Sequence, residues 1–419
     1  MHPLYSLDHD AALSSLAATP DLLLIQDLDG VCMPLARDPL TRTLARHYIE
    51  AARGLDGHFQ VLTNGEHIGR RGVNGIVERA LGDAALARSQ GLYLPGLGAG
   101  GIQLQDRFGA VSHPGVSEAE LAFLAGVPQR ARQALRTMLA SPPFEIPPDE
   151  LERLVETTVL DNPASPTLNL NGLHHRYADR PGLYARLQQT AAAFMAEQLR
   201  QAEALGLGAA FFVHYAPNLG HEADGRERIK PADAEHAGTT DFQLMLRGAV
   251  KEVGVLVALN HYYARRTGSH PLGERFNARE APHTLDALLD LAERSLDKAL
   301  MPRLVGVGDT VTSVEDADGT RRRGGSDRGF LTLVQNLGRR FGRDNLVCYV
   351  DSSGGEVRRA GIDAALLAQA RDARDPRLWQ ALSGISDADD PLRLNLVFPL
   401  GYGQYVDFFC RLAARRGQR

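Results

Sequence analysis

The chain has 419 residues, 44% of them hydrophobic and 23% charged, with a formal net charge of -5. That is ordinary globular composition, and the length suits two domains or one domain carrying an insertion. The mild negative charge argues against a nucleic-acid or anionic-membrane partner, and no apolar run approaches the roughly 20 residues needed to span a bilayer. Three cysteines, Cys32, Cys348 and Cys410, have no metal-type spacing. Such sparse usage fits a reducing compartment. Residues 1–20 have neither a basic start nor an apolar core, so no signal peptide is expected and the expected location is cytoplasmic.

In chain order, the first informative stretch is Leu22-Leu23-Leu24-Ile25-Gln26-Asp27-Leu28-Asp29-Gly30. An apolar run of strand length ends on two carboxylates at i and i+2, which leave a strand on the same side. Two carboxylates that close repel unless a cation or a shared proton relieves them. Residues 43–54 read as a helix. His58–Gly65 reads as a short strand that delivers Thr63, Asn64 and Gly65 at its end, and a helix follows over 72–81. Residues 91–113 are glycine-rich and extended, with a hairpin turn expected at Asp106–Gly109. Helical patterns cover 117–140, 149–158 and 181–205, separated by an expected loop over 160–173. Ala209–Tyr215 reads as a strand, 216–240 as a linker or flap, and 242–264 as an apolar helix carrying Arg247 and Lys251. A helix is expected over 283–299. Arg303–Thr310 reads as a strand ending in Asp309, with a charged hairpin over 315–325. Residues 328–340 read as helix and Asn345–Asp351 as a further strand.

This alternation predicts an α/β fold, a Rossmann-like core with a parallel sheet. It is interrupted by an inserted α/β domain between the second and third motifs. The expected boundaries are 1–113 and 236–419 for the core and 114–235 for the insertion. Strands ending in Asp27, Thr63 and Asp309 would deliver those side chains to the carboxyl edge of one sheet, where open α/β sheets bind ligands.

Together these ends form an inventory for phosphoryl transfer, which depends on positioning and charge neutralisation. Asp27 is a carboxylate nucleophile beside a cation. Asp29 can protonate a leaving oxygen and later take a proton from water. Thr63 and Asn64 offer a hydroxyl and an amide to an anion. Lys251 supplies a fixed positive charge at the start of a helical turn. Asp309 can complete a magnesium site built of oxygens. Glu66, His67, Arg70 and Asn74, with His214, Tyr215 and Asn218, are candidates to read a polar substrate, and Arg247 is a candidate to grip phosphate.

The ordered set of DxDG, LTN, Lys and GD resembles the haloacid-dehalogenase-like phosphatases. The long gap between Thr63 and Lys251 is similar to the sugar-phosphatase branch, whose cap lies between the second and third motifs. That branch shows GDxxND. Here the second acid position is Ser313, and Gly325-Ser326-Asp327 looks like the displaced acid, with Glu315 and Asp316 as alternatives. The blocks LIQDLDGVCMPLARDPL (Leu24–Leu40), LTNGEHIGRRGV (Leu62–Val73), FFVHYAPNLG (Phe211–Gly220), GTTDFQLMLRG (Gly238–Gly248), VGVGDTVTS (Val305–Ser313) and GGSDRGF (Gly324–Phe330) resemble the glucosylglycerol-3-phosphate phosphatases of salt-tolerant bacteria.

The resemblance implies Mg2+-dependent hydrolysis of glucosylglycerol 3-phosphate, in compatible-solute synthesis, through an aspartyl phosphate. The catalytic set would be Asp27, Asp29, Thr63 and Lys251. Asn64, Gly65, Glu66, His67, Arg247, His214 and Asn218 would contact substrate, and Asp27, Asp29, Asp309 and Asp327 would bind the metal. The partner expected is a small sugar phosphate, with no nucleic acid and no membrane. Pathway logic adds a functional association with the glucosylglycerol-phosphate synthase. The alternatives are a phosphatase for sucrose or trehalose phosphate and a non-catalytic sugar-phosphate-binding regulator.

Overall fold

The computed structural model describes residues 4–222, 225–233, 236–316, 318–372 and 374–418. Five strands come before residue 113: β1 (Leu22–Gln26), β2 (Phe59–Leu62), β3 (Gly96–Gly98), β4 (Gln103–Gln105) and β5 (Val111–Ser112). The middle of the chain carries β6 (Val159–Leu160), β7 (Thr167–Asn169), β8 (Phe211–Ala216), β9 (Asn218–His221), β10 (Glu227–Ile229) and β11 (Asp241–Leu246). The last third carries β12 (Arg303–Gly308), β13 (Thr312–Glu315), β14 (Arg321–Gly324), β15 (Leu346–Val350) and β16 (Leu396–Phe398).

The main sheet has the order β16-β15-β12-β1-β2-β3-β4-β5. It is parallel from β16 to β3, and the β3-β4-β5 edge is antiparallel. β1 lies between β12 and β2 and is buried at every residue. Leu22 and Leu24 belong to one hydrophobic cluster, Leu23 and Ile25 to the other. A strand packed by helices on both faces must be apolar throughout, which is why Leu22–Ile25 shows no polar alternation. The expected α/β core with a mainly parallel sheet is therefore present. Among the described residues, no helix is long and apolar enough to cross a membrane.

A second, antiparallel sheet has the order β6-β7-β11-β8. Helices Glu118–Leu139, Pro148–Thr158 and Pro181–Ala204 accompany it. The first starts at a capping box in which Ser117 and Glu120 satisfy each other's backbone N–H groups.

Three expectations are corrected here. The apolar pattern over 242–264 is not one helix. β11 ends at Leu246 and a helix, Lys251–Thr267, begins after a turn. Gly248 makes that turn at φ +88°, where a Cβ would lie 2.4 Å from the carbonyl oxygen of Ala278. An apolar run fits strand or helix equally, and the glycine decides. In consequence the second sheet extends beyond residue 235, since β11 pairs with both β7 and β8. The expected loop over 160–173 contains β7 and the start of a short helix, Asn171–Arg176. The expected linker over 216–240 contains the β9-β10 hairpin.

Candidate active site

β1 and β12 are adjacent and parallel, so the residues that follow them, Asp27 and Asp309, emerge side by side. Gly30 turns the chain at φ +78°, and a Cβ there would overlap the Asp309 carboxylate at 2.2 Å. Only glycine allows both the turn and that approach. Asp327 is the N-cap of helix Arg328–Phe341. It is fully buried, and its Oδ2 accepts from the backbone N–H groups of Asp309 (2.9 Å) and Thr310 (3.0 Å). Asp27, Asp309 and Asp327 each offer a carboxylate oxygen within 4.8 Å of the others. The carboxylate of Asp29 is not in that group. It pairs instead with Arg42 at 2.8 Å. Glu315 and Asp316 are turned away in the β13-β14 hairpin, paired with Arg321 and Arg322.

Lys251, the first residue of its helix, donates to Asp27 Oδ2 at 2.5 Å and to Asp327 Oδ1 at 2.6 Å. Lys251 thus bonds two of the three buried carboxylates, and the Arg359 guanidinium lies 3.3 Å from the third, Asp309, leaving two cations against three acids. Burial pushes Asp27 up to about 8, with Lys251 opposing and the Asp327 and Asp309 charges adding to the rise. Burial likewise raises Asp309 to about 6. At Asp327 burial acts upward too, but Lys251 and the two amides outweigh it and hold the group low. Lys251 loses from burial and gains more from its two carboxylates, so it stays charged. An excess of negative charge on hard oxygen donors fits a divalent cation of the magnesium or manganese type.

Thr63, Asn64, Gly65 and Glu66 follow β2 and line the same pocket as Asp27, Asp29 and Asp309. Thr63 Oγ1 accepts from the Gly65 N–H at 3.1 Å, which shapes this loop. Glu66 is buried and ties the loop to the insertion, accepting from the Ala164 N–H (2.8 Å), Ser165 Oγ (2.9 Å) and Gln103 Nε2 (2.8 Å). Burial lifts it to about 7 against those three bonds.

The remaining predicted residues lie elsewhere. His67 is fully buried beneath the loop, with Nδ1 3.1 Å from Gln105 Nε2. Burial lowers it to about 4. His214 and Asn218 meet through Glu227: His214 Nδ1 is 2.6 Å from its Oε1, and Asn218 Nδ2 donates to its Oε2 at 3.0 Å. His214 Nε2 reaches Asn64 Nδ2 at 2.8 Å, so this network braces the Thr63 loop from a neighbouring cleft. Arg247 is exposed in the turn after β11 and does not line the Asp27 pocket. Arg70 is half-exposed and pairs with Glu156, Asn74 bonds Gln105, and Tyr215 packs against Phe242.

Another part of the pocket lining comes from the second sheet and the segments beside it, and was missed by sequence reasoning. It presents Asn162, Asn169, Asn171, Asp241 and Gln243 to the pocket. Asn169 donates to Asp241 at 2.6 Å, and burial raises Asp241 to about 6. Asn171 Oδ1 and Gln243 Oε1 are buried without a hydrogen-bond partner among the described residues. For Asp241 and Gln243 the signal is the alternation Asp241-Phe242-Gln243-Leu244, hidden by the reading of 242–264 as helix, whereas Asn162, Asn169 and Asn171 lie in the expected loop over 160–173. Arg359, also unforeseen, reaches Asp309 at 3.3 Å and Thr310 Oγ1 at 2.9 Å.

The family model described as glucosylglycerol-phosphate phosphatase matches residues 21–413. The glucosylglycerol-phosphate phosphatase of Synechocystis sp. is 51% identical over 423 residues, covering 98% of this chain and 97% of that one. The chain belongs to the glucosylglycerol-phosphate phosphatase family. Among solved structures, a Candida albicans trehalose-6-phosphate phosphatase C-terminal domain matches with a TM-score of 0.46 at 9% identity, covering 99% of each chain. A trehalose-6-phosphate phosphatase of Aspergillus fumigatus matches at 0.35 and 11% identity, covering 84% of this chain and 92% of that one. Those two likenesses are too loose to carry an argument about activity. The match to the family covers all the motif residues from Asp27 to Asp327.

Proposed function

We propose that this chain hydrolyses glucosylglycerol 3-phosphate to glucosylglycerol and phosphate. The observation that carries the reading is the meeting of Asp27, Asp309 and Asp327, two of them bonded to Lys251, beside a pocket that Asp27 and Asp309 line together with a set of amides. Phosphate needs the first and a polyhydroxy group needs the second. An oxygen of Asp27 attacks phosphorus, the bond from phosphorus to the glycerol oxygen breaks, and Asp29 gives that oxygen a proton. Asp29 then takes a proton from water, which attacks the phosphoryl group, and the bond to Asp27 breaks to release phosphate. Thr63, Asn64 and Lys251 hold the phosphoryl oxygens. Asp27, Asp309 and Asp327 would hold Mg2+, which supplies charge neutralisation between nucleophile and phosphate.

The second sheet and its helices act in this reading as a cap that selects substrate and excludes water. The three cysteines are free, which supports a cytoplasmic place. A functional association with the synthase that makes the substrate is part of the same proposal. The test is phosphate release from glucosylglycerol 3-phosphate, sucrose phosphate, trehalose phosphate and glucose phosphate, with Mg2+ and with chelator. Fast Mg2+-dependent release from the first alone is expected. Equal rates on all four would discard the substrate, and binding without release from any would favour the regulator.

A further inference from the structure

Asp29 is held at the end of a chain of hydrogen bonds that begins in the cap. Arg42 Nη1 donates to Asp29 Oδ2 at 2.8 Å, and among the described residues this is the ion pair Asp29 makes. Arg42 is itself fixed at two further points: its Nε donates to the Pro39 carbonyl at 3.0 Å, and its Nη2 donates to the carbonyl of Arg71. Arg71 leaves the loop that follows Thr63 and buries its side chain to 1% exposure. Among the described residues, its side-chain bonds go to the inserted domain. Nη1 donates to the Val159 carbonyl at 2.7 Å and to Asp161 Oδ1 at 3.0 Å, and Nη2 donates to the Glu156 carbonyl. Arg132 holds the far end, 2.9 Å from Glu156 and 3.6 Å from Asp161.

We propose that Arg42 and Arg71 are positioning residues that orient Asp29 for proton transfer when the cap is seated on the core. The inference rests on the reading of Asp29 as proton donor and acceptor. Its physical basis is the planar guanidinium, whose fork fixes direction as well as distance. Each arginine uses two or more donors at once, so each transmits orientation rather than charge alone. A cap lifted from the core takes Val159, Glu156 and Asp161 away from Arg71. The loop that presents the Arg71 carbonyl then loses its anchor, and Arg42 loses one of the points that aim it at Asp29. Proton transfer is thereby tied to a cap closed over substrate.

The experiment is a double-mutant cycle in the full-length enzyme with Mg2+ and saturating glucosylglycerol 3-phosphate. Arg42→Met and Arg71→Met are each expected to lower kcat by about 100-fold, the usual weight of a positioned acid–base group, with KM changed less than about threefold. Because the two act in series, the double variant is expected to be no slower than the slower single. Multiplying effects would overturn the relay. Arg42→Lys keeps the charge and loses the fork. It is expected to stay about tenfold below wild type, and full recovery would also overturn the proposal. Should Arg71→Met fail to fold, Arg71→Lys carries the same cycle, since an ammonium cannot span Val159 and Glu156 together. Asp29→Asn separates the two readings. Near-normal turnover would remove Asp29 as acid and base. A slow Asp29→Asn enzyme further slowed by Arg42→Met would keep Asp29 and remove the relay.

Discussion

The two walls of the pocket are built on opposite principles. On the core wall the ionisable groups Asp27 and Asp309 line the pocket, and the buried Asp327 and Lys251 join them in one cluster. On the cap wall the groups are mostly neutral amides, and Asn171 Oδ1 and Gln243 Oε1 have no hydrogen-bond partner among the described residues. Groups that satisfy each other hold a fixed field for chemistry, whereas groups left unsatisfied gain their bonds from the ligand. On the proposed function the difference puts reaction on the core and selection on the cap, and each half of that proposal can be broken separately.

The largest effect is expected at the nucleophile. Asp27→Asn should lower kcat by at least about 1,000-fold while circular dichroism and melting stay close to wild type. Substantial turnover by a folded Asp27→Asn enzyme would remove the core wall from the chemistry. Lys251→Met should abolish activity and also destabilise the fold by about 3–5 kcal/mol, because it strands buried carboxylates that it now pairs. Its melting temperature measures that second effect. A Lys251→Met protein as stable as wild type would mean that the carboxylates satisfy one another by sharing protons.

Removal of divalent cation with a chelator should abolish turnover and lower the melting temperature. Mg2+ at about 100 times its dissociation constant should restore about 2.7 kcal/mol. Unchanged melting would count against the three carboxylates as the metal site.

The cap wall should respond in another currency. Gln243→Leu and Asn171→Leu should raise KM for glucosylglycerol 3-phosphate by about tenfold, the weight of one or two lost hydrogen bonds. Turnover of p-nitrophenyl phosphate, which has no hydroxyls to read, should stay within about twofold. Equal losses on both substrates would make the cap wall part of the chemistry and erase the contrast.

A separate effect is on stability against pH. His67 is lowered to about 4 by burial. Below its ordinary value of about 6.5 the unfolded chain takes up a proton that the native chain refuses. Its contribution is therefore present above pH 6.5 and is lost as pH falls toward 4. Urea unfolding across that window should show the slope, and His67→Gln should flatten it.

Much of the core wall was legible in the sequence because its geometry is local or strand-bound. Asp27 and Asp29 share a strand exit, and Thr63 and Asp309 each close an apolar run, so the parallel sheet gathers them by topology alone. Motif order marked Lys251 as a fixed positive charge at the site, whereas its pairing with Asp27 and Asp327 is a tertiary fact. The cap wall was not legible for a definite reason. Phe242, Leu244 and Leu246 form an apolar run that suits strand or helix, and the reading as helix hid Asp241 and Gln243. Arg247 was misjudged for the same reason, since the true turn at Gly248 leaves it exposed. Arg42, Arg71 and Arg359 carried no signal of any kind, because an arginine's reach across domains is a property of tertiary placement rather than of local pattern.

The most direct test of the central claim is acid-quenched mass spectrometry of the Asp29→Asn enzyme mixed with p-nitrophenyl phosphate and Mg2+. This leaving group departs without help, and loss of Asp29 slows hydrolysis of the intermediate. One phosphoryl group on Asp27, absent from the Asp27→Asn control, is the predicted result. An unmodified Asp27 under conditions that still release p-nitrophenol in a burst would contradict the account.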